Sequence, residues 1–200
     1  MRQEDKDRWT RGYLPHIHVS GATQFVTWRL ADSLPVGFYE ELKSRNPDDQ
    51  RLVNRETEIA LDRGFGSCLL KQPRLAKIVA EKIVESQSKF GLVHAFVVMP
   101  NHVHLLVTLS EDCNSSSYVK YVKGGTAHAI NQAAERKGRL WQPDYLDKLI
   151  RDEEHFVRTA AYIEWNPVKA GLVGDPKEFP FSSGCDFYRK ELESGRTESP

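Results

Sequence analysis

His102 and His104 sit two apart in His102-Val103-His104-Leu105-Leu106-Val107-Thr108-Leu109, a run of apolar and β-branched residues that predicts a strand. Strand residues two apart project to the same side of a sheet, so both imidazoles face one centre while Val103 points the other way and anchors the strand in the core. A metal pair on a rigid element requires this arrangement. Tyr162 and Asn166, four apart near the end of a predicted helix, lie one turn apart on one face, whereas Phe156, Ala160 and Ile163 mark a different, core-facing stripe. The Tyr162 hydroxyl then points outward, and the amide oxygen of Asn166 offers a third ligand beside two imidazoles. Two nitrogens and one oxygen with open positions suit magnesium or manganese; zinc also tolerates the imidazoles. A phenol of pKa about 10 is a weak nucleophile at neutral pH without a base or cation to help it. A metal at the histidines would polarise a phosphodiester and set its phosphorus in line with the Tyr162 oxygen, giving a phosphotyrosine and a free hydroxyl. Each part also has a plainer use: one surface and one core histidine, a packing tyrosine, an asparagine that ends a helix before proline.

The elements that must hold these groups follow from pattern. Met1 to Ser20 is polar, carries Pro15 and shows neither period, which predicts an extended, irregular arm; His16 and His18 repeat the His-x-His spacing there without a rigid sheet, and no metal site is expected of them. Gln24 to Leu30 reads as the first strand, with Phe25, Thr27 and Arg29 on one face and Val26, Trp28 and Leu30 on the other. Short helices are expected within Pro35 to Arg45 and Leu52 to Arg63, separated by turn chemistry at Asn46-Pro47-Asp48-Asp49. Pro73 to Phe90 predicts one amphipathic helix with proline at its first position, stopped by Gly91. Leu92 to Met99 and His102 to Leu109 then form an antiparallel hairpin through Pro100-Asn101, with His94 a packed neighbour. Ser115 to Lys137 predicts a long helix weakened at Gly124-Gly125, by roughly 1 kcal/mol per glycine relative to alanine. Gly138 to Tyr145 is a loop, and Asp152-Glu153-Glu154 starts a helix expected to stop at about Trp165, before Asn166-Pro167. Beyond Phe181 a loose tail is expected.

With 200 residues, 40% hydrophobic and 28% charged, the chain is long enough for one packed domain and excludes collagen-like, disordered and membrane classes. Its longest uncharged apolar run is far shorter than the roughly 18 to 20 residues of a membrane span, and its polar start does not resemble a signal peptide. Three cysteines without a close pair argue against a disulfide framework or a thiolate zinc site, and a reducing cytoplasm is expected. Lys+Arg and Asp+Glu both number 28, so no global positive field advertises a polyanion. Any such partner must be held locally, and Tyr118 to Lys137 carries a net charge of +3.

The blocks Pro100-Asn101-His102-Val103-His104-Leu105-Leu106, Trp141-Gln142-Pro143, Ile150-Arg151-Asp152 and Tyr162-Ile163-Glu164-Trp165-Asn166-Pro167-Val168-Lys169-Ala170-Gly171-Leu172-Val173, with Gly21 to Thr27 ahead of them, resemble the single-tyrosine HUH transposases, and more narrowly the bacterial REP-associated tyrosine transposases. The resemblance covers roughly Pro15 to Ser183. It implies an α+β fold: a ferredoxin-like or RRM-like antiparallel sheet carrying the histidines, with flanking helices and the tyrosine on a helix alongside. The expected organisation is an arm over 1–20, one transposase domain over 21–183 and a tail over 184–200. On this resemblance His102 and His104 match the histidine motif, Tyr162 the nucleophile and Asn166 the polar metal-site residue. The implied activity is cleavage and joining of single-stranded DNA near palindromic hairpins, with Mg2+ or Mn2+, through a 5'-phosphotyrosine, in a bacterial cytoplasmic, nucleoid-associated protein that is a monomer or a homodimer. Lys120, Lys123, Arg139, Arg151, Arg158 and Lys169 are the candidates for phosphate contact, and Trp141 for base stacking. Two other readings compete: an idle hairpin-DNA-binding regulatory module, and a metallo-phosphodiesterase that uses the histidines with a water nucleophile.

Overall fold

A computed structural model of the chain describes residues 7–10, 15–19 and 21–197. Its centre is a four-stranded antiparallel sheet ordered β4-β5-β3-β6, with β3 at Thr23–Arg29, β4 at Gly91–Val98, β5 at His102–Leu109 and β6 at Leu146–Leu149. Alternation sorts the side chains by face. Val26, Trp28, Val103, Leu105 and Val107 join the larger core under α3 (Pro73–Glu85) and α5 (Ser115–Ala133). Phe25 and Leu106 face the other way, where Ile163 of α6 (Glu153–Lys169) closes a smaller core. The two histidines, being even-numbered on β5, share that second face. On β4 the register shifts between Val93 and Ala95, and the extra residue, His94, lets Val93, Phe96 and Val98 all reach the larger core while Ala95, Val97 and Met99 reach the smaller one. His94 is itself a packed neighbour, with Nε2 2.7 Å from Thr108 Oγ1 and its ring edge-on to Phe156. The expected α+β fold, an antiparallel sheet with flanking helices, is the one observed.

Several expectations are corrected. Within the stretch read as an irregular arm, β1 (Asp7–Thr10) and β2 (Pro15–His18) pair as an antiparallel hairpin, because a ladder of backbone bonds can form without any side-chain alternation. The His16 and His18 side chains lie outside the described residues. The Pro73–Phe90 helix is interrupted at Ser86, whose hydroxyl bonds both the Ile83 carbonyl (2.5 Å) and the Tyr118 hydroxyl (2.9 Å); Gln87–Phe90 then forms a separate turn, α4. The long helix α5 ends at Ala133 rather than Lys137, with Glu135 at φ 50. Gly124-Gly125 stays helical, and at Gly125 a Cβ would stand 2.9 Å from Lys82 Cε, so the glycine admits the α3 side chain. Helix α6 continues through Pro167 to Lys169: proline removes one hydrogen bond, but the burial of Asn166 and Pro167 and the bond from Ala170 N to Asn166 O (3.0 Å) hold the last turn. Where a loose tail is expected, Asp186–Thr197 forms α7, with Tyr188 and Leu192 buried in the larger core. Strand β6 has no counterpart in the sequence reading. It is four residues long with Asp147 and Lys148 in its middle, the charged signature of a protected sheet edge rather than of a core strand.

Two short helices precede α3, α1 at Phe38–Arg45 and α2 at Gln50–Asp62, close to the stretches expected. Their role is positional, because α2 delivers its last residue to the histidine face.

A candidate metal and tyrosine centre

The β4–β5 turn and the end of α2 are joined by one side chain. Asn101 Nδ2 donates to the carbonyls of Leu61 (3.2 Å) and Phe65 (3.0 Å), which fixes the amide so that Oδ1 faces His102 Nδ1 at 2.7 Å. An amide oxygen only accepts, so His102 carries its proton on Nδ1 and presents a lone pair at Nε2. The second histidine is held by the neighbouring strand: Thr27 stands opposite His104, and Thr27 Oγ1 is 2.7 Å from His104 Nδ1. A hydroxyl can accept from Nδ1–H or donate to bare Nδ1, so Thr27 permits either tautomer. Both imidazoles are fully buried, and the two Nε2 atoms are 3.0 Å apart. Burial holds His102 down to about 3 and His104 well below the ordinary histidine range, the latter with added repulsion from His102 and Lys148. Neutral imidazoles are the form that ligates metals.

Asp62 completes the cluster. Its Oδ1 lies 3.6 Å from His102 Nε2, and one ligand atom from each of Asp62, His102 and His104 falls within 4.8 Å of the others. Burial raises the Asp62 carboxyl to about 6, aided by Glu58 and opposed by Asn166 and Lys169. Asn166 Nδ2 is 3.5 Å from Asp62 Oδ1, while Asn166 Oδ1 is buried with no hydrogen-bond partner. An orphaned carbonyl oxygen beside two neutral imidazoles and a carboxylate costs free energy unless something positive meets it. The donor set therefore fits a divalent metal ion.

Tyr162 shares the site. Its ring packs edge-on against His104 (centroids 5.4 Å) and Phe25 (6.0 Å), and Lys169 Nζ lies 4.7 Å over it. Burial first, then the nearby Glu58 and Asp62 carboxylates, push its phenol well above the ordinary tyrosine range. Glu58 is itself bonded by Lys148 Nζ (2.8 Å). A cleft of about 200 Å³ opens on this centre, lined by Asp62, Arg63, Lys71, His102 and Leu172 among others. Arg63 and Lys71 give its mouth positive charge of the kind a phosphate backbone meets.

His102, His104, Tyr162 and Asn166 thus converge, and Lys169 joins them. The other candidates spread out. Lys120, Arg139 and Arg151 are exposed, and Arg158 is exposed and paired with Glu154. Lys123 Nζ bonds the backbone carbonyls of Gln142 (2.5 Å), Pro143 (2.9 Å) and Asp144 (3.4 Å), and burial lowers it to about 8. Trp141 is buried, edge-on to Trp28, with Nε1 donating to Thr126 Oγ1 at 3.1 Å, so its ring faces the core. Asp62, Asn101 and Thr27 were missed as site residues. Asp62 is 40 and 42 positions from the two histidines and follows no ligand spacing; Asn101 reads as a turn residue and Thr27 as a strand former. A sheet register alone could have found Thr27, since it requires knowing which residue stands across from His104.

The profile of the IS200-like transposases matches residues 69–166. A Haemophilus influenzae protein assigned to the REP-associated tyrosine transposases is 32% identical over 99 residues, covering 44% of this chain and 56% of that protein. The REP-associated tyrosine transposase of Escherichia coli K12 is 34% identical over 92 residues, covering 46% of this chain and 53% of its own length. The chain thus spans about half the length of the curated relatives it matches. A solved structure described as a REP-associated tyrosine transposase bound to a REP hairpin superposes with a TM-score of 0.53 at 25% identity, covering 97% of this chain and 88% of that one. Over residues 69–166 the chain is similar to the IS200-like transposases, and in sequence and fold it is similar to REP-associated tyrosine transposases.

Proposed function

We propose that the chain is a metal-dependent endonuclease and strand transferase for single-stranded DNA carrying a hairpin, with Tyr162 as nucleophile. The observation that carries the reading is the convergence of the Tyr162 ring, the facing Nε2 atoms of His102 and His104, and Asp62 on one face of the sheet. His102, His104 and Asp62, with the oxygen of Asn166, would hold Mg2+ or Mn2+. When bound, the ion supplies charge to the non-bridging oxygens of a phosphodiester and polarises its phosphorus. Tyr162 attacks that phosphorus through Oη and loses its proton, with the Asp62 and Glu58 carboxylates facing it. The bond from phosphorus to the 3' oxygen breaks, the leaving oxygen takes a proton, and the DNA stays attached as a 5'-phosphotyrosine. Because the new ester conserves the old one, attack by another 3' hydroxyl rejoins the strand. Half-buried Tyr162 resists ionisation on its own, which confines attack to the moment when positive charge is near it. Lys169, Arg63 and Lys71 line the approach and serve phosphate contact; Lys120, Arg139, Arg151 and Arg158 extend it over the exposed surface. Residues 21–183 carry the transferase chemistry, with α7 packed into their core, and act in the cytoplasm of a bacterium at the nucleoid. The hairpin partner is supported by the solved relative, which is described as bound to one.

The test compares wild type with Tyr162→Phe on hairpin DNA in Mn2+, read on a denaturing gel. The expected result is a protein–DNA adduct with wild type and none with the variant. Cleavage that is equal in both proteins and leaves no adduct would replace the transferase with a water-using phosphodiesterase, and binding without cleavage would favour the idle module.

A further inference from the structure

A second cleft, of about 250 Å³, lies at the end of β3, beside the metal centre. Thr27 and Arg29 of β3 line it, and in the β3–β5 register these two stand opposite His104 and His102. Neighbouring strands are about 4.8 Å apart, so a group in this cleft sits within one nucleotide of a phosphate at the histidines. Tyr39 and Glu40 of α1 form one wall, and Gln142 and Tyr145 the other. Both walls are braced: Gln50 Nε2 donates to Tyr39 Oη at 3.0 Å, and Lys123 holds the carbonyls of residues 142–144. The cleft is a little smaller than drug-sized ligand sites, which run to roughly 300 to 1,000 Å³. The lining from Thr27 to Leu61 lies outside the 69–166 segment that matches the transposase profile.

Its distinctive feature is Arg29. A guanidinium carries five N–H donors, and the hydrogen bond this side chain donates goes to Ser33 Oγ at 3.2 Å. Burial pulls the Arg29 pKa below the ordinary arginine value, opposed by Glu40. The cleft thus offers a donor fork, a carboxylate in reach of the same space, and the half-exposed ring of Tyr39 beside them. Guanine is the base that matches all three. Its O6 and N7 accept from arginine, and its N1–H and N2–H donate to a carboxylate, whereas adenine and cytosine set a ring-nitrogen acceptor against that carboxylate.

We propose that this cleft binds one unstacked guanine of the DNA strand whose phosphate lies at the histidine pair, read by Arg29 and Glu40. The proposal rests on the strand-transferase reading above. Its test uses the full chain and fluorescence anisotropy with a hairpin oligonucleotide whose single-stranded flanks are all thymine, into which one guanine or one adenine is placed at each position in turn. At one position guanine should bind about tenfold more tightly than adenine, the discrimination of one good base contact. At that position 7-deazaguanine, lacking the N7 acceptor, should lose the preference with wild type and make no difference with Arg29→Met. Inosine, lacking the exocyclic N–H, should lose it with wild type and make no difference with Glu40→Gln, an exposed residue whose substitution does not threaten folding. Equal affinity for guanine and adenine at every position, or a preference that survives in both variants, overturns the guanine site while hairpin binding stands. Failure of the wild type to bind any of the hairpins overturns the DNA reading itself.

Discussion

Asn101 Oδ1 lies 2.7 Å from His102 Nδ1, and the same amide donates to two carbonyls at the end of α2. One side chain therefore sets the tautomer of a histidine on β5 and seats the helix end that bears Asp62. Removing it leaves the Leu61 carbonyl and the His102 N–H without partners in a buried place, and the Phe65 carbonyl without one in a half-buried place. Asn101→Ala should destabilise the fold by about 2 to 3 kcal/mol, seen as a lower urea midpoint at unchanged slope. It should also weaken Mn2+ binding by more than a fold-neutral surface substitution does, as isothermal titration calorimetry would show. Unchanged stability would mean that water replaces the amide and that Asn101 is only a turn residue.

Thr27 plays the corresponding part for His104, and its substitution separates orientation from folding. Valine keeps the shape and the strand propensity but cannot bond Nδ1. Thr27→Val should lower Mn2+ affinity about 10- to 100-fold, as loss of a ligand's outer partner does, with little change in melting temperature. Equal affinity in calorimetry would show that His104 needs no such partner.

The pH dependence of metal binding should report Asp62. Its carboxyl is raised to about 6, while burial keeps His102 neutral down to about 3 and holds His104 well below the ordinary histidine range. On acidification the proton first competes with the metal at Asp62, so affinity should be full above about pH 7 and fall as pH drops through 6. The stability of the metal-free chain has the opposite sign. A carboxyl raised above its unfolded value is a stabilising feature only while protonated, so its contribution is present below about pH 4 and lost as pH rises through 6. Asp62→Asn should flatten both profiles. A metal-binding curve centred near the ordinary histidine range, and unaltered in the variant, would assign the titration to the imidazoles instead.

What the sequence made legible follows from the range of the interactions involved. His102 and His104 are two apart and Tyr162 and Asn166 four apart, so local periodicity alone placed each pair on one face. That the two pairs meet depends on packing α6 against β4 and β5, which the family resemblance supplied and spacing did not. Asp62 was invisible because the bond that seats α2 comes from a side chain 40 residues away. Trp141 and Lys123 were read as surface groups from their types, but a ring bonded to Thr126 and an ammonium capping three carbonyls are tertiary facts. Pro167 misled because a rule about the residue before proline is a local preference, and here burial of Asn166 outweighs it.

Glycines in α5 were read as a weak point, and the two positions differ. At Gly124 an added Cβ would meet nothing within 4 Å, whereas at Gly125 it would press on the Lys82 chain at 2.9 Å. Gly124→Ala should stabilise the protein by about 0.5 to 1 kcal/mol through helix propensity and a less flexible unfolded chain. Gly125→Ala should gain less, since Lys82 must move away from Tyr121 Oη (2.9 Å) and Glu85. Thermal unfolding of both variants checks the order, and a larger gain at Gly125 would contradict it.

The helix α7 offers the clearest stability test, because its sequence suggests no packing role. Tyr188 is buried edge-on to Phe96 at 5.3 Å between ring centroids, and Leu192 is buried in the same core. Leu192→Ala removes a fully enclosed side chain and should cost about 2 to 5 kcal/mol, the range for such truncations in well-packed interiors. Phe187, exposed on the other side of the helix, is the internal control, and Phe187→Ala should fall within about 0.5 kcal/mol of wild type. If both variants unfold at the same denaturant concentration as the parent, residues 186–197 contribute nothing to the core. If only Leu192→Ala shifts, the segment is part of the folded unit and belongs in any chain used to assay the site.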